Sequence, residues 1–249
     1  MRRLLICSVS AIGLVHAGSA AADSPKLKGV YAFTGSAACL VSAENTTPQA
    51  GGPSPGGFTT LNVTTPPFHP AFQPVPGSRV WSTSFSVEGV RIFNGDGTGT
   101  IKGTSVNITV PPTPAGFSCP PPGPNPGCFP PSAGSTNFEA SFTYTIDNDG
   151  VLHTQLVGLM TGTTVSGPGS PGSPVPGGSV ISTTFTLDVP PLVGLIGDNA
   201  KTLTIASLEP AVETITQTQT TTVGTNVTVT PRVCHRSRVL VKIKDNPIQ

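Results

Sequence analysis

Side chains able to do chemistry are few in this chain and widely spaced. Beyond residue 22 its histidines are His69, His153 and His235. Acyl transfer needs a serine or cysteine beside a base, and its common mark, a Gly-x-Ser-x-Gly elbow, is missing. His69 lies in Pro66-Pro67-Phe68-His69-Pro70, His153 follows a tight turn, and His235 falls within a final extended run. None of these settings pairs the histidine with a nucleophile, so a non-enzymatic chain is expected. Asn94, Asp96, Thr98 and Gly99 imitate the opening of a calcium loop, but its twelfth position is Ser105 where a bidentate Glu is required. A hairpin turn accounts for the same residues, because Asn and Gly tolerate positive φ. Cys119 and Cys128 have no neighbouring histidine to complete a zinc site. Neither a metal nor another cofactor is expected.

The strongest charged feature is the last run. Arg232, Arg236, Arg238, Lys242 and Lys244 share one alternation phase, and Val233, Val239, Val241 and Ile243 share the other. That pattern predicts a solvated cationic face that discourages edge pairing, with an anionic glycan, lipid headgroup or protein as its functional counterpart. His235 and Ser237 then fall on the interior side. Arg91 shares a phase with Trp81 and Phe85, and a buried arginine needs a carboxylate or several carbonyls. The candidate binding residues are therefore Arg91, His235, Arg236 and Arg238.

These residues are carried by an exported chain. Arg2 and Arg3 precede an apolar stretch too short to span a bilayer, and Ala20-Ala21-Ala22 supplies a cleavage site before Asp23. A signal peptide over 1–22 and one domain over 23–249 are expected, with no transmembrane segment after cleavage and a periplasmic or secreted location. Loss of Arg2 and Arg3 takes the cations from 13 to 11 against 12 acids, a net charge of −1 that gives no case for nucleic acid. Cys7 leaves with the signal, and the remaining four cysteines predict two disulfides in an oxidising compartment, with three pairings possible.

Gly and Pro number 29 and 28 against 10% charged residues, a composition of strands joined by irregular connections. Strand-like alternation marks 28–42, 80–93, 98–110, 138–146, 151–165, 180–189, 201–208 and 232–244. Tight turns at 94–97 and 147–150 alternate with long Pro/Gly-rich loops at 43–79, 111–135 and 166–178, and 190–200 is intermediate. In a meander, alternate connections fall on opposite ends. The expected fold is all-β, an antiparallel up-and-down meander closed as a barrel of about eight strands, with long loops at one end. A β-sandwich is the alternative. The count holds if 209–231 is a further rim connection; Thr-rich 214–230 is otherwise a short hairpin. On this topology Cys39 and Cys234 meet near the rim where first and last strands pair, and Cys119 with Cys128 cinches one loop.

A start at Gly29-Val30-Tyr31, a meander of about eight strands and an arginine in the last strand (Arg236 or Arg238) resemble the lipocalin or calycin barrels. Those barrels begin with Gly-x-Trp, and here Tyr31 takes the Trp position. The resemblance implies a cavity for a small apolar molecule. The functional expectation is a non-enzymatic barrel binding a small apolar ligand or a cell-envelope component, with a structural or adhesive surface module as the alternative.

Overall fold

The computed structural model describes residues 27–44, 55–60, 71–110, 131–175 and 178–245. The expected signal peptide, His69, Cys119 and Cys128 lie outside them. The described chain is all-β apart from a short 3-10 turn at Asp198–Ala200. Its strands are β1 (Lys28–Ala43), β2 (Arg79–Asn94), β3 (Thr98–Val110), β4 (Ser132–Ile146), β5 (Val151–Ser166), β6 (Pro174–Val175), β7 (Gly178–Leu187), β8 (Leu192–Gly197), β9 (Thr202–Ala206), β10 (Val212–Thr221) and β11 (Gly224–Lys244).

Five long strands, β1 to β5, form an antiparallel meander, and β11 pairs with β1 to close the ring. Two half-height pairs bridge the gap between β5 and β11. Near the tight turns the path runs β5–β8–β9–β11, and near the long loops it runs β5–β7–β10–β11. A section through either level therefore crosses eight strands. The extra residues of β5 opposite Glu139 and Ser141 form a bulge where β5 changes partner from β8 to β7, and Gly158 there adopts a φ of +74°.

The alternation of connections is as expected. Turns 94–98 and 146–151 close one end, while the strand ends flanking 44–78, 111–131 and 167–177 all lie at the other. The expected third hairpin, 180–189 with 201–208, does not form. β7 pairs with β10 and β9 with β8, because 190–200 contains a strand and 209–231 contains β10 and the start of β11. Pro190-Pro191 and Pro210 explain the division. Proline donates no ladder hydrogen bond, so β7 and β9 stop at mid-height and separate strands complete the two halves.

Alternation places Phe93, Phe142, Tyr144, Leu152, Leu203 and Leu240 in one core at the tight-turn end. Phe93 makes edge-to-face contacts with Tyr31, Phe142 and Tyr144 at centroid distances of 5.2, 5.3 and 5.0 Å. The in-strand glycines have a packing role. Phe33, Phe138, Phe142 and Phe185 each lie directly across the ladder from a glycine: Gly89, Gly103, Gly99 and Gly162. A Cβ at Gly99 or Gly162 would sit 2.3 Å from the facing ring. The ring thus covers backbone that a larger residue would occupy, as in aromatic rescue of strand glycines.

Both tyrosines of the chain belong to this core. The Tyr31 hydroxyl donates to the Ala200 carbonyl at 2.7 Å, and the Tyr144 hydroxyl donates to that of Leu27. Burial, with Tyr144 and then Asp245 adding charge, pushes the Tyr31 phenol from 10.0 up to about 12, and burial also raises Tyr144. A phenol whose folded pKa exceeds its unfolded one contributes stability that is fully present below pH 10 and lost as pH rises toward the folded value near 12. A spectrophotometric titration should show little phenolate at pH 10 and a rise near pH 12 that coincides with loss of sheet circular dichroism. Phenolate absorbance at pH 10 with the sheet intact would mean that water reaches the rings.

Candidate functional site

Along the same strands, inward residues shrink toward the loop-rich end. Large rings at Phe93, Phe142 and Tyr144 give way to Thr83, Ser105, Asn107, Gly134, Thr136 and Ser166. Eight strands leave room for side chains to fill the interior, and small side chains leave it hollow. The result is a cavity of about 770 Å³ in the upper lumen. Phe85, Val87, Phe138, Phe185, Leu187 and Ile215 give it apolar walls, and Trp81 lines it as well. This volume falls within the roughly 300–1,000 Å³ of small-molecule sites.

A line of charged residues runs down the interior from the hollow half to the packed half: Arg232 lies opposite Val41, Arg236 opposite Ala37, Arg238 opposite Gly35 and Arg91 opposite Tyr31. Arg91, Arg232, Arg236 and Arg238 are all buried, and Glu213 is the one acid among the buried described residues. The cross-strand pair Glu213 and Arg232 brings β10 and β11 together, with Arg232 Nε donating to Glu213 Oε1 at 2.5 Å. Arg236 Nη2 donates to the same oxygen. Cys234 Sγ lies 2.9 Å from that oxygen, in contact without a hydrogen bond, because a disulfide sulfur carries no proton. The second Glu213 oxygen has no hydrogen-bond partner among the described residues.

Arg91 and Arg238 have no carboxylate within ion-pair distance among the described residues. They rest instead on aromatic faces. The Arg91 guanidinium carbon lies 4.5 Å from the Phe142 centroid, and that of Arg238 5.5 Å from the Phe33 centroid. Arg91 Nη1 is buried without a hydrogen-bond partner. Burial, then the charge of Arg238, pushes Arg91 down to about 9. Burial, then Arg236, pushes Arg238 down to about 10, with Glu213 opposing weakly. Both remain cations at neutral pH.

Of the candidate residues, the structure brings Arg91, Arg236 and Arg238 into the lumen and leaves His235 exposed on the outer wall. The expected solvated cationic face is therefore inverted in the upper part of β11. Its arginines point inward, and Val239, Val241 and Ile243 are about half exposed. Cys234 and Leu240 explain this: they share the arginines' phase, one in the Cys39–Cys234 bond and the other in the core. A one-residue change of phase would have put both outside. Sequence reasoning missed Arg232 as an interior residue and Glu213 altogether. The disulfide Cys39–Cys234 joins residues directly opposite in the β1–β11 ladder.

Cys39, Cys234 and Glu213 cluster within 4.8 Å, but sulfurs bonded to each other offer no thiolate to a metal. His153 and Asp147 form an exposed pair at 3.4 Å beside a turn, with no nucleophile attached. No helix among the described residues is long and apolar enough to cross a membrane. The outer wall carries Glu88, Lys102 and Glu139 at mid-height, with Lys102 and Glu139 paired at 3.2 Å.

No protein-family model and no curated protein matches the chain. Among solved structures, the Salmonella SPI-1 type III secretion injectisome secretin InvG (residues 176 to the end, open gate state) matches at 8% identity and a TM-score of 0.23. The alignment covers 88% of this chain and 60% of that one.

Proposed function

We propose that this chain is an exported, non-enzymatic binding barrel, periplasmic or secreted, which holds a small molecule with an apolar body in its upper lumen. The observation that carries this reading is the 770 Å³ cavity, walled by phenylalanine and aliphatic side chains and placed at the end where the long loops attach. Binding residues concentrate where loops surround a rigid sheet, and this sheet is a closed ring stapled by a disulfide. The lipocalin-like character expected from Gly29-Val30-Tyr31 is part of the same proposal.

Trp81 makes the proposal testable, because it is the single tryptophan and it lines the cavity. Titration of the mature protein with medium-chain amphiphiles should change its emission saturably. Native mass spectrometry of protein from the exported fraction should show a bound mass released on denaturation. A clean mass together with unresponsive emission would overturn the cavity reading. It would favour the surface-module alternative, for which the outer-wall groove of about 590 Å³ beside Leu40, Ile108, Val110 and Leu208 is the place to look.

A further inference from the structure

The charges in the barrel do not balance. Among the described residues, four buried guanidiniums face one buried carboxylate, an excess of three positive charges among these five side chains. Glu213 is already engaged, since one of its oxygens accepts from both Arg232 and Arg236. Arg238 lines the floor of the large cavity, and it also lines a small pocket beneath, which Arg91 shares. The two cations without a carboxylate partner thus lie one behind the other at the closed end of a cavity whose lining also includes Arg79, Arg232 and Arg236. Buried charges are normally paired, because desolvating an unpaired ion is costly and an aromatic face returns only part of that cost. A mobile anion entering from the loop-rich end supplies the missing partner.

We propose that the lumen takes an amphipathic anion, its apolar body against Phe85, Phe138, Phe185 and Ile215 and its terminal carboxylate or phosphate against Arg238, with Arg91 behind it. The proposal rests on the lumen being a ligand site and adds the ligand's chemical class. A planar guanidinium fork suits either head group, since it donates two parallel hydrogen bonds to paired oxygens. The register fixes the order of entry. Of the arginines that line the cavity, Arg79 and Arg232 lie opposite Ala43 and Val41 toward the loops and Arg238 lies deepest, opposite Gly35, so an anionic group that meets Arg238 goes in first. Arg238 is the contact residue. Arg91, deeper and facing Phe142, contributes mainly through its charge.

The test compares four ligands of one chain length on the full mature protein, read by Trp81 emission and by calorimetry: dodecanoate, dodecyl phosphate, dodecanol and dodecyltrimethylammonium. Both anions should bind about tenfold to hundredfold more tightly than the alcohol, the factor that charge-assisted hydrogen bonds supply, with the ammonium weakest. The difference between the two anions identifies the preferred head group. Arg238→Met keeps an unbranched side chain against Phe33 and should bring the affinity of both anions to within a few-fold of the alcohol's, measured on the same variant. The ligand series on the unaltered protein decides the question even if the variant fails to fold. Equal affinity for alcohol and anions, or preference for the ammonium, overturns the anion inference and leaves the cavity reading standing. Anion preference that persists in Arg238→Met overturns the assignment of the site. Binding of none of the four overturns the cavity reading itself.

Discussion

Glu213→Gln should lower the stability of the folded chain by about 3–5 kcal/mol, the usual cost of removing one partner of a buried ion pair. For a domain of this size, that corresponds to a fall in Tm of roughly 10 °C. The carboxylate side chain is 0% exposed and accepts from Arg232 and Arg236, whose side chains are 10% and 7% exposed. Glutamine keeps the shape and one acceptor oxygen but leaves four buried guanidiniums without any carboxylate among them. Chemical denaturation with matched m-values measures the loss. A second substitution, Arg232→Met, should recover part of it, because it removes one of the stranded charges and can still pack on Phe85, over which the Arg232 guanidinium lies at 5.4 Å. A loss below about 1 kcal/mol would show that lumen water solvates the arginines, since exposed pairs are worth no more than that. The same substitution should tighten binding of an anionic amphiphile, because it increases the positive excess facing the cavity. The pair is thus held at a balance: enough negative charge to fold, too little to neutralise the floor.

The parts of this arrangement that the sequence discloses are those with strong local contrast. Alternation of Phe138, Phe142, Tyr144 and Ile146 with polar residues, and the turns at 94–97 and 147–150, make the meander legible. The loop-rich end follows from the alternation of long and short connections. The half-height pairs do not, because β8, Leu192–Gly197, is six residues long and contains two glycines. Glu213 is hidden for a related reason. Ile215, Gln217 and Gln219 line the cavity while their outward neighbours are threonines, and such a strand has little contrast between its faces. The orientation of β11 was misread because five cations in one phase resemble a solvated face. Burial of the three arginines among them depends on non-local facts: Cys234 must meet Cys39, Leu240 must reach the core, and Glu213 must arrive from another strand. Periodicity within one strand fixes which residues lie together. Only contacts with other strands decide which side is the inside.

Replacing Cys39 and Cys234 together by alanine should cost about 5 kcal/mol, and the magnitude follows from where the bond sits. It spans 195 residues and joins β1 to β11, so it closes the ring covalently at the seam between the first and last strands. Cross-linking so long a segment removes more freedom from the unfolded chain than a local bridge does, and the native ladder on either side keeps its register without it. The loss should therefore be expressed mainly in the unfolded state. The double variant should show a lower denaturant midpoint and a larger m-value, as its unfolded chain exposes more surface. Both cysteines are buried, so reductant should leave the native protein unaffected in water and destabilise it only where denaturant opens the seam. Under those conditions the reduced wild type should approach the reduced double variant, whose own response to reductant reports only the expected Cys119–Cys128 bridge. An unchanged midpoint would mean that the β1–β11 ladder and the Glu213 contacts hold the seam unaided. A loss well above 5 kcal/mol would mean that the bond also positions Glu213, whose carboxylate oxygen lies 2.9 Å from the Cys234 sulfur. Crossing the cysteine pair with Glu213→Gln in a double-mutant cycle separates the two cases, because an unfolded-state effect adds to the charge effect and a positioning effect does not.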